Sequence, residues 1–554
     1  MTTTTIAQAA PAAGTAADGT AADGTAARAA TAAPLATGVA APAQGPAAEP
    51  PAALHELSVA RAGALLRSGR LSSTELTRYT LARIEELNPR LNAFVTVTAE
   101  RALQDAARAD RELAAGLDRG PMHGIPYALK DIFDTRGILT TSHSWLMADH
   151  VPQEDAEVET RLAAGGGVLV GKLATHEFAL GGPSPELPFP PARNPWSTDH
   201  FTGASSSGAG AAVAAGLVRV AIGSDTSGSV RGPACHCGTV GLKPTYGLVS
   251  RRGAFPLSYA LDHIGPLGWT VEDTALATQV VAGYDPRDPG SVRREVPDLT
   301  AGLGLGVEGL RIAYAPGWFR DDPATSPEVT AAIERVLGEL AARGARVTEV
   351  ELPPYRLFNA CGRVIMAAEA YAIHEADLRT RPSSYGRYTY QRIAPAAGLT
   401  AADLVQAHRL RLELARALRR AVFDDHDVLV TATGLAPAPR LDAFPADWPP
   451  PRELTAMQTI PFNVTGHPAL ALPAGLSASG LPLGMQIAGR PFDETTVLRV
   501  GAAVEAVTGH PARRPPVAAA APARAGQDSA SQPDSSSASK SRAVVPDRSG
   551  RRRP

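Results

Sequence analysis

Between residues 54 and 508, short apolar runs of β-forming residues alternate with stretches of helical spacing. No other feature constrains the fold as much. The β-type runs fall at 125–129, 168–170, 218–222, 311–314, 347–350, 428–430 and 469–472. One helix is predicted from the capping box Ser72-Ser73-Thr74-Glu75, with Leu76, Thr80, Ile84 and Leu87 on one face and Asn88-Pro89 closing it. Another starts at Ser326-Pro327-Glu328, carries Val329, Ile333, Leu337 and Leu340 at helical spacing, and stops before Gly344. Two more helical stretches lie at 367–378 and 404–423. No repeat of 20 to 50 residues is visible. The pattern predicts an α/β fold: a single large domain with a mixed β-sheet core flanked by helices.

The flanks read differently. Residues 1–53 are Ala, Thr, Gly and Pro with almost no large apolar side chains, and 509–554 are Ser- and Pro-rich, closing on Arg551-Arg552-Arg553. Segments that cannot bury enough surface to offset ordering entropy are expected to be disordered tails. Lys plus Arg number 53 against 55 acidic residues, so there is no global basic field for nucleic acid or a membrane surface. No apolar run of membrane-spanning length and no signal-peptide pattern is present, and three cysteines suit a reducing compartment. A cytoplasmic location is expected.

Three motifs resemble chemistry without the context it needs. Residues 166–173, GGVLVGKL, end in Leu173 where a phosphate-binding loop needs Ser or Thr for magnesium. The glycines at 304, 306 and 309 have dinucleotide-binding spacing but precede a strand instead of following one, so a linker is expected. Cys235-His236-Cys237 has no second cluster to complete a zinc site and reads as small residues in a packed turn.

The cations are distributed unevenly. Only Lys130, Lys172, Lys243 and Lys540 are lysines; the other 49 basic residues are arginines. Arginine stays charged in a protein, whereas a buried lysine can become a neutral base. Two Ser/Gly-rich stretches add to this: 201–210 (FTGASSSGAG), running into an Ala-rich segment, and 223–231 (GSDTSGSVR), directly after a predicted strand. Small residues after a strand let backbone N–H groups converge on one point, as an oxyanion site requires.

Read in order, these segments resemble the amidase signature family of serine hydrolases. The resemblance is carried by Gly124 to Asp131 (GIPYALKD), Thr140 to Ser144 (TTSHS), the two Ser/Gly stretches, Gly238 to Thr245 (GTVGLKPT) and Leu261 to Leu267 (LDHIGPL). Asn463 to Pro473 and Gly484 to Asp493 complete it, so that it spans roughly 55 to 508, the expected amidase signature domain. It implies a Ser–Ser–Lys machinery: Lys130 as general base, Ser205 as bridging serine after a cis peptide bond, and Ser229 as nucleophile. The separations of 75 and 24 residues agree with the family's spacing. It also implies an oxyanion hole built from the backbone N–H groups of Thr226, Ser227, Gly228 and Ser229, and no metal or cofactor.

The chemistry gives each residue type a reason. A serine hydroxyl is a poor nucleophile until a base takes its proton. Lysine can be that base only when burial keeps it neutral. Ser205 then relays the proton and returns it to the leaving amine. Among the other lysines, Lys243 is expected to be structural and Lys172 to pair with an acidic neighbour such as Glu177. A Ser-His-Asp triad through His143, His176, His263 or His467 is the convergent alternative. The chain departs from the family pattern at Ala204, Ser207 and Ser227, and Ser227 would strain the oxyanion loop if that position needs positive φ.

The activity implied is hydrolysis of a carboxylic acid amide to the acid and ammonia or an amine, through an acyl-enzyme on Ser229. The central segment, about 355 to 455, is where the family shapes its substrate pocket. Two other roles remain open: a glutamine-hydrolysing A subunit of an amidotransferase, against which residues 251–267 resemble stand-alone amidases more, and a catalytically inactive scaffold. The partners expected are a small-molecule amide and a second copy of the chain in a homodimer, with neither nucleic acid nor membrane.

Overall fold

The computed structural model describes residues 53–519. Eleven strands form one sheet: β1 (Phe94–Val97), β2 (Pro126–Lys130), β3 (Val168–Leu173), β4 (Val220–Asp225), β5 (Val240–Lys243), β6 (His263–Gly268), β7 (Arg311–Tyr314), β8 (Arg346–Glu349), β9 (Val428–Ala432), β10 (Ala469–Leu476) and β11 (Pro482–Gly489). Their spatial order is β1-β3-β2-β4-β6-β5-β10-β11-β9-β7-β8. Parallel pairs stand on both sides, β3/β2/β4 and β9/β7/β8, joined through an antiparallel middle. The expected α/β architecture with a mixed sheet and flanking helices is therefore observed. All seven predicted strands are present within a few residues. The four missed ones, β1, β5, β6 and β11, include sequences such as His263-Ile264-Gly265-Pro266-Leu267-Gly268 that carry little intrinsic β preference.

The middle of the sheet is covered on both faces. β2, β3, β4, β5 and β6 are buried at every position, as strands sandwiched between helices must be. The helix Ser207–Ala214 is buried along its whole length. Its small side chains permit this: a Cβ at Gly208 would stand 2.4 Å from the Ala93 carbonyl oxygen and 2.6 Å from the Ala174 nitrogen.

Two boundaries differ from the sequence-based expectation. The capping box of Ser72 and Glu75 opens a helix as predicted, but the helix runs to Leu91 with Pro89 inside its last turns. There the Asn88 side chain ties the helix end to β1, accepting from the Phe94 N–H at 2.8 Å and donating to its carbonyl at 3.1 Å. The tail expected from residue 509 begins ordered instead: His510–Ala512 and Pro516–Ala519 form short 3₁₀ turns with Val517 and Ala518 buried. Arg83 donates to the Ala518 carbonyl at 3.0 Å, and the Arg514 guanidinium lies 3.9 Å from the centre of the Trp269 ring. The remaining tail residues, 1–52 and 520–554, including Arg551-Arg552-Arg553, lie outside the described residues.

Candidate active site

β2 and β4 are parallel neighbours, with Leu129 opposite Ile222, so their C-terminal ends emerge at one edge. Lys130 is the last residue of β2, Ser224 and Asp225 end β4, and Ser229 lies in the turn that follows. Ser205 arrives from the loop before the helix Ser207–Ala214. Residues separated by 75 and 24 positions are thus gathered by strand order.

Lys130 is completely buried, and its Nζ lies 2.7 Å from Ser205 Oγ and 2.8 Å from Ser224 Oγ. Burial pushes its pKa down to about 7, against the pull of the Asp262 and Asp225 carboxylates. The amine is therefore substantially neutral near pH 7. Ser224 had no part in the expected machinery; only the strand register shows that its hydroxyl faces the lysine.

The turn 225–231 is wrapped around one carboxylate. Asp225 accepts from the backbone N–H of Gly228 at 2.8 Å, Val230 at 3.2 Å and Arg231 at 3.4 Å. It also accepts from the Arg231 guanidinium and from Asn463 Nδ2. Burial would raise this carboxyl, but the Arg231 charge and these hydrogen bonds hold it well below the usual carboxylate range. Arg231 is itself anchored by Asn463 Oδ1 at 2.7 Å, the Thr459 carbonyl at 2.8 Å and Gln486 Oε1 at 3.0 Å.

That arrangement corrects one expectation. The Gly228 N–H, expected in the oxyanion hole, already donates to Asp225. Among the described residues, the amides of Thr226, Ser227 and Ser229 donate to nothing. Ser227 avoids the feared strain because Gly228 takes the positive φ, +127°, packed where a Cβ would stand 2.2 Å from Thr459 Oγ1. Ser207, the second departure, donates to the Ala174 carbonyl at 3.2 Å.

A second correction concerns the bridging serine. The bond between Ala204 and Ser205 is trans; the cis peptide bond among the described residues is Trp448–Pro449. In this arrangement Ser205 meets Lys130, but no hydrogen bond joins it to Ser229, whose hydroxyl makes none among the described residues. One leg of the expected relay is formed and the other is not. Catalytic hydrogen bonds are often open without substrate and close in the complex.

Ser205, Ser227, Gly228 and Ser229 share a pocket of about 150 Å³. Its outer wall comes from the central segment, with Tyr355, Arg363, Tyr388, Phe444 and Trp448 among the contributors. Tyr388 stands edge-on to Trp448, and Arg392 lies 4.1 Å from the centre of the Trp448 ring. No Asp or Glu lines this pocket.

The other candidates take different places. Lys172 is buried and pairs with Asp131 at 3.3 Å, not with Glu177, whose carboxylate accepts from Ser144 Oγ and the Gly386 N–H. Lys243 donates to the Pro244 and His467 carbonyls, a structural role as expected. None of His143, His176, His263 and His467 bonds to Ser229, and burial holds their imidazoles neutral. Cys235-His236-Cys237 ends a buried helix, and no group of metal-ligating side chains occurs among the described residues.

Residues 75–498 match the family described as Amidase. The chain belongs to the amidase family. A curated relative, the A subunit of the glutamyl-tRNA(Gln) amidotransferase of Trichlorobacter lovleyi, is 39% identical over 479 residues, covering 82% of this chain and 98% of the relative. Among solved structures, a chain from a vestigial protein complex that reveals the origins of an s-triazine catabolic enzyme matches with a TM-score of 0.76 and 34% identity, covering 81% of this chain and 98% of that one. A bacterial aryl acylamidase of the amidase signature family matches with a TM-score of 0.75 and 28% identity, covering 83% and 99%. With this family the chain is an amide C–N hydrolase. No helix among the described residues is long and apolar enough to cross a membrane.

Proposed function

We propose that this amidase-family chain cleaves its amide through an acyl-enzyme on Ser229. Neutral Lys130 takes a proton through Ser205, the Ser229 hydroxyl attacks the carbonyl, and a tetrahedral oxyanion forms. The free amides of Thr226, Ser227 and Ser229 receive that oxyanion. The proton passes back through Ser205 to the leaving nitrogen, the C–N bond breaks, and water releases the acid by the same route. The observation that carries this reading is the fully buried Lys130 amine 2.7 Å from a hydroxyl sharing a pocket with Ser229.

The relatives favour one setting for this chemistry over the other. Curated relatives at 37–40% identity bear the name of the amidotransferase's A subunit. They support a glutamine-hydrolysing A subunit that works with protein partners better than they support a free-standing amidase. The tRNA-related name of these relatives also favours a cytoplasmic site of action. Hydrolysis of a panel of small amides, esters and glutamine, with mass-spectrometric detection of acylated Ser229, tests the common chemistry. Glutamine turnover that rises with a co-purifying protein selects the A-subunit role. Turnover that survives Ser229→Ala would reject the mechanism, and turnover of none of these substrates, with or without the co-purifying protein, would revive the inactive scaffold.

A further inference from the structure

A second cavity of about 480 Å³ lies against the substrate pocket. The division between them passes through the reacting groups. On the oxyanion loop, Thr226 lines the second cavity, whereas Ser227, Gly228 and Ser229 line the first. Of the two hydroxyls that hold Lys130, Ser205 lines the first cavity and Ser224 the second. Ala179 and Leu257 line both and so stand in the wall between them.

Leu257 is the large side chain of that wall, and it is held in place. Its N–H donates to Asp262 Oδ2 at 2.9 Å, while Asp262 Oδ1 accepts from Thr226 Oγ1 at 2.6 Å. One buried carboxylate thereby pins the wall to the oxyanion loop. Ala179 has φ of +59°, where a longer side chain is strained, so the thickness of the wall is set at 257. Behind it the second cavity presents Ile132, Tyr246, Phe255, Tyr259 and Ile264. The charged side chains of its lining are already engaged, Arg251 with Asp288 at 2.9 Å, Arg252 with Asp285 at 3.2 Å, Arg287 with Glu154 at 3.0 Å and Asp262 with Thr226 at 2.6 Å, so a ligand meets chiefly apolar and aryl surface.

We propose that Leu257 determines substrate length by closing the substrate pocket against this second cavity, which would otherwise take the apolar distal end of a longer amide. A cavity of about 150 Å³ holds a group the size of benzene. The inference rests on the hydrolase reading above. It is tested with acyl p-nitroanilides from acetyl to decanoyl, comparing the unaltered chain with Leu257→Ala and the milder Leu257→Val. The ratio of decanoyl to acetyl kcat/KM is expected to rise about tenfold or more in Leu257→Ala and by less in Leu257→Val. If Leu257→Ala does not fold, the Leu257→Val ratio decides. Activity on the acetyl substrate with a ratio unchanged in the variants overturns the role of Leu257 alone. Glutamine is assayed beside the series: an unaltered chain that hydrolyses glutamine but no acyl p-nitroanilide overturns this inference and leaves the hydrolase reading standing, whereas one that hydrolyses neither overturns both.

Discussion

Arg231 grips Asp225 in a buried ion pair, Nη2 to Oδ1 at 2.9 Å and Nε to Oδ2 at 3.0 Å, with Ser229 held in the turn between them. The same carboxylate takes three backbone N–H groups of that turn. Removing one member of a buried pair leaves the other charge uncompensated, which typically costs about 3–5 kcal/mol. Asp225→Asn is therefore expected to lower kcat by about 10² or more while destabilising the fold. Activity and urea unfolding measured together check this. A variant with unaltered kcat would mean that the turn holds its shape without the pair.

With Lys130 as the proposed base, its protonation is expected to set a pH dependence of activity. With its pKa pushed down to about 7, the neutral form dominates above that value. kcat/KM should rise through pH 7 and level off above it. Lys130→Ala should lose most activity and recover part of it at high pH, where hydroxide substitutes for the missing base. A flat profile between pH 5 and 9 would remove Lys130 from the role of base.

Much of the candidate site was legible in the sequence because its motifs are local. Lys130, Ser205 and Ser229 each stand in a distinctive short run, and the strand-turn character of 223–231 follows from small residues after apolar ones. What depends on strand register was not legible. Ser224 became a partner of Lys130, and Lys172 chose Asp131 over Glu177, only once β2, β3 and β4 were side by side. The engagement of the Gly228 amide was equally hidden, because no local pattern says where the Asp225 carboxylate turns. Pro89 stayed helical and residues 510–519 became ordered through tertiary contacts that propensity does not encode.

Removing the same lysine is expected to have the opposite effect on stability from its effect on activity. Its folded pKa lies below the ordinary lysine value of 10.5, so between about pH 7 and 10.5 the unfolded chain binds more protons than the folded one. Stability from this residue then increases with pH across that window. Lys130→Met, which removes the burial penalty of the charge, should unfold at a higher temperature than the parent near pH 7, with the gap shrinking toward pH 10. Calorimetry at both pH values checks the sign. A gap that widens with pH would mean that the amine is charged in the fold.

The two serines should separate by intermediate as well as by rate. Ser229→Ala is expected to abolish both turnover and acyl-enzyme formation. Ser205→Ala should retain the nucleophile but lose the proton path, for a fall of about 10²–10⁴ in kcat, the usual contribution of positioned acid–base catalysis. Mass spectrometry of each variant after incubation with an activated ester distinguishes them. Acylation in Ser229→Ala would move the nucleophile elsewhere.

The ordered start of the C-terminal extension carries a test of its own. Val517 and Ala518 are buried, the Ala518 carbonyl accepts from Arg83, and Arg514 covers Trp269. Burying one aliphatic side chain is worth about 1.5–3 kcal/mol, and a cation over an indole adds about 0.5–2 kcal/mol. A chain ending at 508 should therefore melt several degrees below one ending at 519. These contacts lie away from Lys130, Ser205 and Ser229, so kcat at low temperature should differ little between the two. Equal melting temperatures would show that residues 509–519 rest on the domain without stabilising it.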